Sequence, residues 1–210
     1  MRNFKSFLKE ETHTIHFDIG VPEHVEDLAE LAEIYNKGPQ IYVPGCKIEG
    51  ALYALNSKLK NLKNGPSYVS KSINLERCRE LESLEGMCNS GSTVSLEYCT
   101  KLTTLEHIPR VIHGWFNINY CSGLTTLKYF PKIIMGTLYI RECSNIRNVL
   151  RLLTAHQIFR FDFELTEPKN QKLTDALIIV QDHYKKTGDA DILDCKADLI
   201  DAGLSEYAKL

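Results

Sequence analysis

The sequence predicts an α/β fold: a solenoid whose turns stack into a parallel β-sheet, capped by helices at both ends. The main observation is a pattern that recurs four times between residues 73 and 158, with a cysteine at the same place in each copy. These cysteines, 21, 22 and 22 residues apart, are Cys78, Cys99, Cys121 and Cys143. A fixed period in the twenties is typical of solenoids, because a unit of that size cannot bury its own apolar face. A second observation is helical spacing of apolar residues on both sides of the array.

Each copy changes its apolar spacing halfway. In the second copy, Val94 and Leu96 are separated by one residue, which places both on the same side of a strand. The spacing then becomes three residues, through Cys99, Leu102 and Leu105, which suits a helical or 3₁₀ return. Successive strands therefore stack in parallel, about 4.8 Å apart. We expect each cysteine to fill a buried turn position, where its thiol stacks on its counterparts and donates to a turn carbonyl.

The second and third copies carry a family resemblance, in segments 99–105 (CTKLTTL) and 121–127 (CSGLTTL). The chain resembles leucine-rich-repeat proteins of the cysteine-bearing kind, in a divergent form. The leucine that normally opens such a repeat is replaced here by Ser70, Gly91 and His113, and the position stays apolar only as Met135. The resemblance implies a leucine-rich-repeat-like array, and it brings no catalytic residue with it.

We predict three regions, namely an N-terminal helical cap (1–40), the array (41–165) and a C-terminal cap of two helices (166–210). The N-terminal cap is predicted because apolar residues recur at helical spacing in 2–11, and again from Pro22 to Tyr35. Such caps keep the ends of a solenoid from exposing unpaired strands.

The limits of the array are predicted from weaker copies of the pattern. Segment 51–66 is a degenerate repeat, in which Asn56 takes the place of the cysteine and Ala51 and Tyr53 lie on the strand. Whether that segment forms a full repeat stays open. The last strand alternates phenylalanine with polar residues at Phe159, Phe161 and Phe163. Helical patterns follow and are ended by Gly188 and Gly203.

Composition narrows the function classes. The 25 basic and 27 acidic side chains give a net charge of −2, which offers nucleic acid no general attraction. The sequence holds no apolar run long enough for a membrane span, and its start is too charged for a secretory signal, so we expect a cytoplasmic protein. Seven cysteines in repeat register predict reduced, structural thiols, with no disulfide framework and no zinc site.

No motif for enzymatic chemistry occurs in the sequence. A phosphate-binding glycine loop, a nucleophile elbow, a His-Glu-x-x-His motif and a Cys-x-x-Cys pair are all missing. Glu76, Glu80, Glu82 and Glu85 are close in sequence, but strand and return direct them to different sides. We therefore expect no catalytic residue, no cofactor and no bound metal, and a monomer that binds a protein.

The expected binding surface is the outward face of the strands. Residues between the core positions point away from the core, to a face that solenoids use for binding. The candidates are Asn74, Glu76, Ser95, Glu97, Trp115, Asn117, Asn119, Tyr139, Arg141, Arg160 and Asp162. Tryptophan, tyrosine and arginine dominate the energetics of protein interfaces. The alternative is an ordinary solvated sheet face, on which Trp115 packs against its neighbours.

Both ends of the chain show a second resemblance. The start, with Leu8-Lys9-Glu10 at the place of a Leu-x-Glu cleavage site, resembles N-terminal segments of proteins from large T-even type tailed bacteriophages, including the capsid-targeting peptides of internal head proteins. Segment 188–210 also resembles chain ends from those phages. The resemblance implies an antagonist of a host defence or toxin protein, with DNA-modifying ADP-ribosylating toxins among the candidates. The partner would then be a host protein in the host cytoplasm.

Two alternatives come from other classes. The chain could be a structural or packaged phage component located in the virion interior, which would be shown by particles that contain a chain beginning at Glu11. It could also be an enzyme that uses a cleft between the array and its helices, which any turnover would reveal.

Overall fold

The computed structural model describes residues 14–16, 18–36, 42–90, 92–155, 157–162, 170–187 and 192–210. The predicted helix over residues 2–11, the Leu8-Lys9-Glu10 motif and Phe163 lie outside the described residues.

The chain forms a β-solenoid of parallel strands with a few helices. The strands are β1 (Thr14–Ile15), β2 (Ile19–Gly20), β3 (Lys47–Ile48), β4 (Leu52–Tyr53), β5 (Tyr68–Val69), β6 (Ile73–Asn74), β7 (Asn89–Ser90), β8 (Val94–Ser95), β9 (Val111–Ile112), β10 (Phe116–Asn117), β11 (Ile133–Tyr139) and β12 (Gln157–Asp162). In the described part of the chain they form two sheets, in which every ladder between named strands is parallel.

The larger sheet, called the main sheet here, contains the predicted repeat strands. Within the described residues its central path runs β2, β4, β6, β8, β10, β11 and β12. The register aligns equivalent positions, so that Phe116 pairs with Val94 on one side and with Leu138 on the other. The predicted parallel stacking of the repeats is confirmed.

A second ladder runs beside the main sheet and was not predicted. The smaller sheet has the order β1, β3, β5 and β7, and β9 continues the same position by pairing with the first part of β11. Ile134 in β11 pairs with Ile112 and also with Ile158. Each turn therefore contributes to both ladders. The earlier turns do so with two short strands, whereas β11 and β12 each span both positions as one longer strand.

Both ladders contribute apolar residues to a shared core. Completely buried residues of the second ladder are Ile48, Val69, Ile112 and Ile134. Each of these lies four residues before the first buried residue of the next main-sheet strand, as Ile112 does before Phe116. The inward positions of the return half, such as Leu102 and Leu105, are completely buried as well. Apolar burial of this kind is the main contribution to the stability of the array.

The solenoid begins earlier than residue 41. Strands β1 and β2 lie within the region predicted as a helical cap, and Ile19 and Gly20 pair with Leu52 and Tyr53. The reason is that the helical spacing used for the cap lies on both sides of these strands, in 2–11 and from Pro22 to Tyr35, whereas Ile15 and Ile19 are buried inward residues of the strands.

Segment 51–66 is part of the solenoid, but the predicted register within it is wrong by one residue. Leu52 pairs with Ile73 on one side and with Ile19 on the other, so the strand has neighbours on both sides. Tyr53, predicted as an inward strand residue, is 40% exposed. The position of the repeat cysteine is taken by Ser57, which is 2% exposed, and not by Asn56. Because side chains alternate along a strand, a shift of one residue exchanges the two faces.

Five helical segments accompany the strands in the described residues. A 3₁₀ turn (Leu28–Glu30) leads into α1 (Leu31–Tyr35), and a second 3₁₀ segment spans Val149–Thr154. The first starts later than Pro22 because Asp27 and Glu30 form a capping box there. Helices were predicted near α2 (Gln171–Thr187) and α3 (Ile192–Asp201), and both are present. None of the described helices has the length and apolar character needed to cross a membrane.

A tyrosine hydroxyl from a helix reaches a strand near each end of the main sheet. The hydroxyl of Tyr35 in α1 donates to the Gly20 carbonyl (2.7 Å) and accepts from the Gly20 amide (3.0 Å). At the other end, the hydroxyl of Tyr184 in α2 accepts a hydrogen bond from the Ile158 amide, at 2.5 Å. Backbone groups at the outer strands β2 and β12 therefore have side-chain partners.

We expect truncation of Leu102 or Leu59 to alanine to be similarly destabilising. Both side chains are completely buried, and both belong to turns with neighbours on either side. Each change should cost about 2 to 5 kcal/mol of unfolding free energy, measured by urea denaturation. Leu210→Ala is the control, because this leucine is 58% exposed and its loss should cost much less. A mild effect at Leu59 alone would show that the first turns contribute little to the cooperative unit.

Candidate functional site

The outward face of the main sheet is organised into three rows that cross the strands. The leading row contains Ser72, Thr93, Trp115, Thr137 and Arg160; the middle row contains Asn74, Ser95, Asn117, Tyr139 and Asp162; the trailing row contains Glu76, Glu97, Asn119 and Arg141. Ladder pairs align the middle row, and interstrand hydrogen bonds align the other two. The structure therefore brings ten of the eleven predicted binding residues onto this one face, and the backbone of the eleventh, Asp162, pairs with Tyr139.

These residues differ in how much they are exposed. Trp115 and Arg160 are exposed, whereas Asn74, Glu76, Glu97, Tyr139 and Arg141 are half-buried. The structure describes the backbone of Asp162 but not its side chain. Ser95, Asn117 and Asn119 are 2%, 9% and 6% exposed, so the alternative of an ordinary solvated sheet face does not hold at these three positions. The reason is that strands about 4.8 Å apart let longer neighbours cover short polar side chains.

Asn74 and Asn117 of the middle row are held by equivalent hydrogen bonds. The Oδ1 atom of Asn74 accepts from the Glu76 amide at 2.9 Å, and Oδ1 of Asn117 accepts from the Asn119 amide at the same distance. The Nδ2 group of Asn117 also donates to Oε2 of Glu97, at 2.7 Å across to the neighbouring strand. These bonds fix the Asn117 side chain and orient the carboxylate of Glu97.

An aromatic pair lies beside the asparagines. The rings of Trp115 and Tyr139 meet edge to face, with centroids 6.1 Å apart and planes at 88°. Trp115 nevertheless remains 38% exposed, so the contact leaves part of its ring facing outward. Trp115 therefore packs against its neighbour and also keeps part of its ring exposed.

Two glycines make the corner that leads into Trp115. A side chain at Gly136 would come within 2.6 Å of the Gly114 backbone, and a side chain at Gly114 would come within 2.4 Å of the Thr93 side chain. The turns stack closely here, as the hydrogen bond from the Gly136 amide to the Gly114 carbonyl shows, at 3.0 Å. Close stacking of the two turns at these glycines brings the strand that follows Trp115 next to the strand that contains Tyr139.

Each residue of the trailing row is followed by a residue with left-handed backbone. The residues with positive φ at this position are Asn56, Arg77, Tyr98, Tyr120 and Glu142, at 53° to 62°. The rings of Tyr98 and Tyr120 stack at 4.4 Å and 3°, and the Arg77 guanidinium lies 5.8 Å from the Tyr98 ring centroid. This aromatic stack, directly beside the trailing row, was not predicted. Its signal in the sequence is the residue immediately before each repeat cysteine.

The cysteines occupy the buried turn position predicted for them. All four thiols are completely buried, and each donates to a carbonyl of the preceding turn. For example, Cys121 donates to the Leu96 carbonyl at 3.0 Å, and Cys143 donates to the Ile118 carbonyl at 2.9 Å. Burial raises the pKa of Cys143 to about 12 and raises the pKa of Cys99 and Cys121 well above the ordinary value.

Other features of the described residues add little chemistry. Within the part of the chain that the structure describes, no group of three or more His, Cys, Asp or Glu side chains could hold a metal ion. An open depression on the second ladder is lined by Lys47, Glu49, Tyr68 and Ser70. The depression is thus lined by one basic, one acidic, one aromatic and one small polar side chain.

Comparison of the chain with protein-family models, with curated proteins and with solved structures returned no match.

We expect Cys121→Ser to be mild and Cys121→Lys to be severe. A serine hydroxyl can donate to the Leu96 carbonyl in place of the thiol, whereas a lysine would bury an unpaired charge and cost several kcal/mol, on the order of 3 to 5. Thermal or urea unfolding of the two variants measures the difference. Equal losses would show that the position tolerates no change of donor, or that it is not buried.

The raised thiol pKa values predict slow labelling and a loss of stability at alkaline pH. The buried thiols stay protonated in the folded chain, while the unfolded chain begins to ionise near pH 9. Protons therefore leave the unfolded state first, and stability should fall as the pH rises from about 9 towards 12. Cys143→Ser should show a smaller decline over this window, and rapid labelling of all four native repeat thiols would contradict the burial.

Proposed function

We propose that this chain is a non-enzymatic, monomeric protein-binding module whose partner docks on the outward face of the main sheet. The observation that carries the proposal is the Trp115–Tyr139 pair, because it places a partly exposed tryptophan in the middle of a polar, ordered face. Aromatic side chains in such a position are where binding hot spots usually occur.

The polar surroundings of this pair support a protein as the ligand. Asn117 and Glu97 are held by a hydrogen bond to one another, and Arg141 lies beside Asn119 in the trailing row. A protein interface of ordinary size combines an aromatic centre with a polar rim of this kind. Side chains that are already fixed also lose little conformational freedom when a partner binds.

We propose further that the solenoid is leucine-rich-repeat-like and that helices cap both of its ends. The recurrence of the Cys-x-x-Leu-x-x-Leu return supports the family, and the hydrogen bonds of Tyr35 and Tyr184 to the outer strands support the caps. Strand edges that are satisfied in this way are poor templates for pairing with another chain.

The partner we propose is a host defence or toxin protein, bound directly in the cytoplasm of a host cell. The resemblance of the chain ends to T-even phage proteins supports this source, and DNA-modifying ADP-ribosylating toxins are the candidates to test first. Direct binding suffices for such an antagonist, since an occluded toxin cannot reach its substrate. Affinity capture from host cells, followed by mass spectrometry, would test the partner class.

We expect Tyr35→Phe to destabilise the N-terminal end of the sheet. The change removes the hydroxyl that both donates to and accepts from Gly20, at a cost of about 1 to 3 kcal/mol. Amide hydrogen exchange at Gly20 should accelerate, while exchange at Val94 in the middle of the sheet should not. Unchanged exchange at Gly20 would contradict the cap.

We expect Trp115→Ala combined with Tyr139→Ala to weaken partner binding at least about 30-fold, which corresponds to about 2 kcal/mol. The melting temperature should change little, because both rings lie on the outward face and Trp115 is 38% exposed. Titration calorimetry with the captured partner measures the affinity.

The matched control for this pair is on the return face. Lys101 and Lys128 are exposed and lie away from the main sheet, so their replacement by alanine should leave the affinity nearly unchanged. Unfolding of the double aromatic variant would place the pair in the core. Undiminished binding would place the partner on the edges, the loops or the helices instead.

A further inference from the structure

A second exposed apolar patch lies on the outward face of the main sheet, several strands away from the Trp115–Tyr139 pair. It consists of Tyr53 and Leu55, which are 40% and 42% exposed. Tyr53 takes the middle-row position of β4, and Leu55, two residues later, takes the trailing-row position of the same turn. Both side chains therefore face the same side as the aromatic pair.

The two apolar patches are separated by the strands between them. The path of the main sheet from β4 to β10 passes through β6 and β8, and Tyr139 lies one strand further, on β11. Because neighbouring strands are about 4.8 Å apart, the patches are about 14 to 19 Å apart along the face. A single segment of a partner can contact both patches if it crosses the strands.

The floor between the patches consists of short polar side chains that are bonded to one another. Oγ1 of Thr93 donates to Oγ of Ser72 at 2.8 Å, and both polar atoms of the Asn117 side chain are engaged in hydrogen bonds. Ser95 is only 2% exposed. The backbone amides and carbonyls of these strands are joined in the parallel ladders. This part of the sheet therefore has few hydrogen-bonding groups to offer a partner.

The bonded floor favours a helix over an extended segment as the occupant. An extended segment laid across the strands would bury its own amides and carbonyls without partners, whereas an α-helix satisfies these groups internally. Residues about 11 apart in a helix lie on the same face, about 16 Å from one another. This distance matches the separation of the two patches.

The trailing row adds a requirement on the charge of the helix. Glu76 and Glu97 lie on neighbouring strands, aligned by the hydrogen bond from the Arg77 amide to the Glu97 carbonyl at 2.7 Å, and both are half-buried. Like charges in such positions are unfavourable. The Arg77 side chain lies 3.5 Å from Glu76 and offsets part of this repulsion. A basic side chain of the partner over Glu97 would offset more of it.

We infer that the partner contributes an amphipathic α-helix that crosses the strands of the main sheet. One apolar side chain of this helix contacts Tyr53 and Leu55, and a second, about 11 residues away, contacts the Trp115–Tyr139 pair. A basic residue between them faces Glu97. The inference rests on the proposed function, and it adds the kind of segment that the face recognises.

The first test measures the spacing by photo-crosslinking. The amino acid p-benzoylphenylalanine replaces Tyr53 in one variant of the full chain, Trp115 in a second and the exposed return-face residue Lys101 in a third. Each variant is irradiated in host cells, and the crosslinked residues of the partner are identified by mass spectrometry. We expect the first two variants to crosslink one helix of one protein, at residues about 9 to 13 apart, and the third to give no such product. A spacing of about 4 to 6 residues would show an extended segment and overturn the inference.

The second test uses matched tyrosine variants. Tyr53→Thr removes a ring that is 40% exposed on the main sheet, and Tyr68→Thr removes a ring that is 36% exposed on the second ladder. We expect Tyr53→Thr to weaken binding of the crosslinked partner, once purified, at least about tenfold, and Tyr68→Thr to leave it nearly unchanged. Leu55→Ser repeats the test outside the strand, and the melting temperature is measured for all three. Equal losses for Tyr53→Thr and Tyr68→Thr would overturn the patch.

The third test concerns the basic residue. Glu97→Gln should weaken binding of the same partner at least about threefold and make the affinity less dependent on salt. Glu106→Gln removes the same charge from an exposed residue of the return face, and it should do neither. Equal effects of the two variants would reduce the contribution to net charge and overturn this part of the inference.

The crosslinking outcomes separate this inference from the proposed function. Crosslinks from Trp115 without crosslinks from Tyr53, or crosslinks from the two to different segments, overturn the crossing helix and leave the binding face in place. Crosslinks from Lys101 alone, or from none of the three positions, overturn the binding face as well.

Discussion

The structure depends on an apolar core within which each repeat cysteine makes the same hydrogen bond to the turn before it. The carbonyl of Leu75 accepts both the amide of Cys78 in its own turn and the thiol of Cys99 in the next turn, each at 3.2 Å. The carbonyl of Leu96 does the same with Cys99 and Cys121, each at 3.0 Å. These carbonyls lie where the chain leaves the sheet, and burial there requires a partner. A small side chain that can donate a hydrogen bond suits this position. In the turn before the first cysteine repeat the position is taken by Ser57, whose hydroxyl forms a hydrogen bond with the Cys78 thiol at 3.2 Å.

This repeated bond fixes the register of the outward face. Because each turn keeps the same register with the previous one, polar side chains of adjacent strands lie in rows and cover one another. Most of them satisfy each other, as Asn117 does with Glu97 and with the Asn119 amide. The left-handed turn that follows costs on the order of 1 to 2 kcal/mol for each residue other than glycine. Stacking of Tyr98 on Tyr120 and the continuous backbone ladder offset part of that cost.

The sequence predicted the main-sheet features that recur with the period, but it missed the second ladder, although that ladder recurs with the same period. The inward residues of the main sheet, the buried cysteines and the parallel order all follow from the period of 21 or 22 residues. The second ladder was missed because its strands have two residues each and one, Asn89–Ser90, has no apolar inward residue. The strands at Thr14–Ile15 and Ile19–Gly20 lie in a stretch whose alternation indicates a strand. The region as a whole was predicted as a helical cap because helical spacing occurs on both sides of that stretch, in 2–11 and from Pro22 to Tyr35.

The candidate face was predicted by position but not by accessibility. Alternation along a strand shows that Ser95, Asn117 and Asn119 point outward, yet it contains no information about the neighbours that bury them. That information requires the register between strands, which brings Glu97 and Asn119 together from turns that are distant in sequence. The same register holds the polar side chains of this face in rows. If a partner docks on this face as proposed, side chains that are already ordered would lose little conformational freedom on binding.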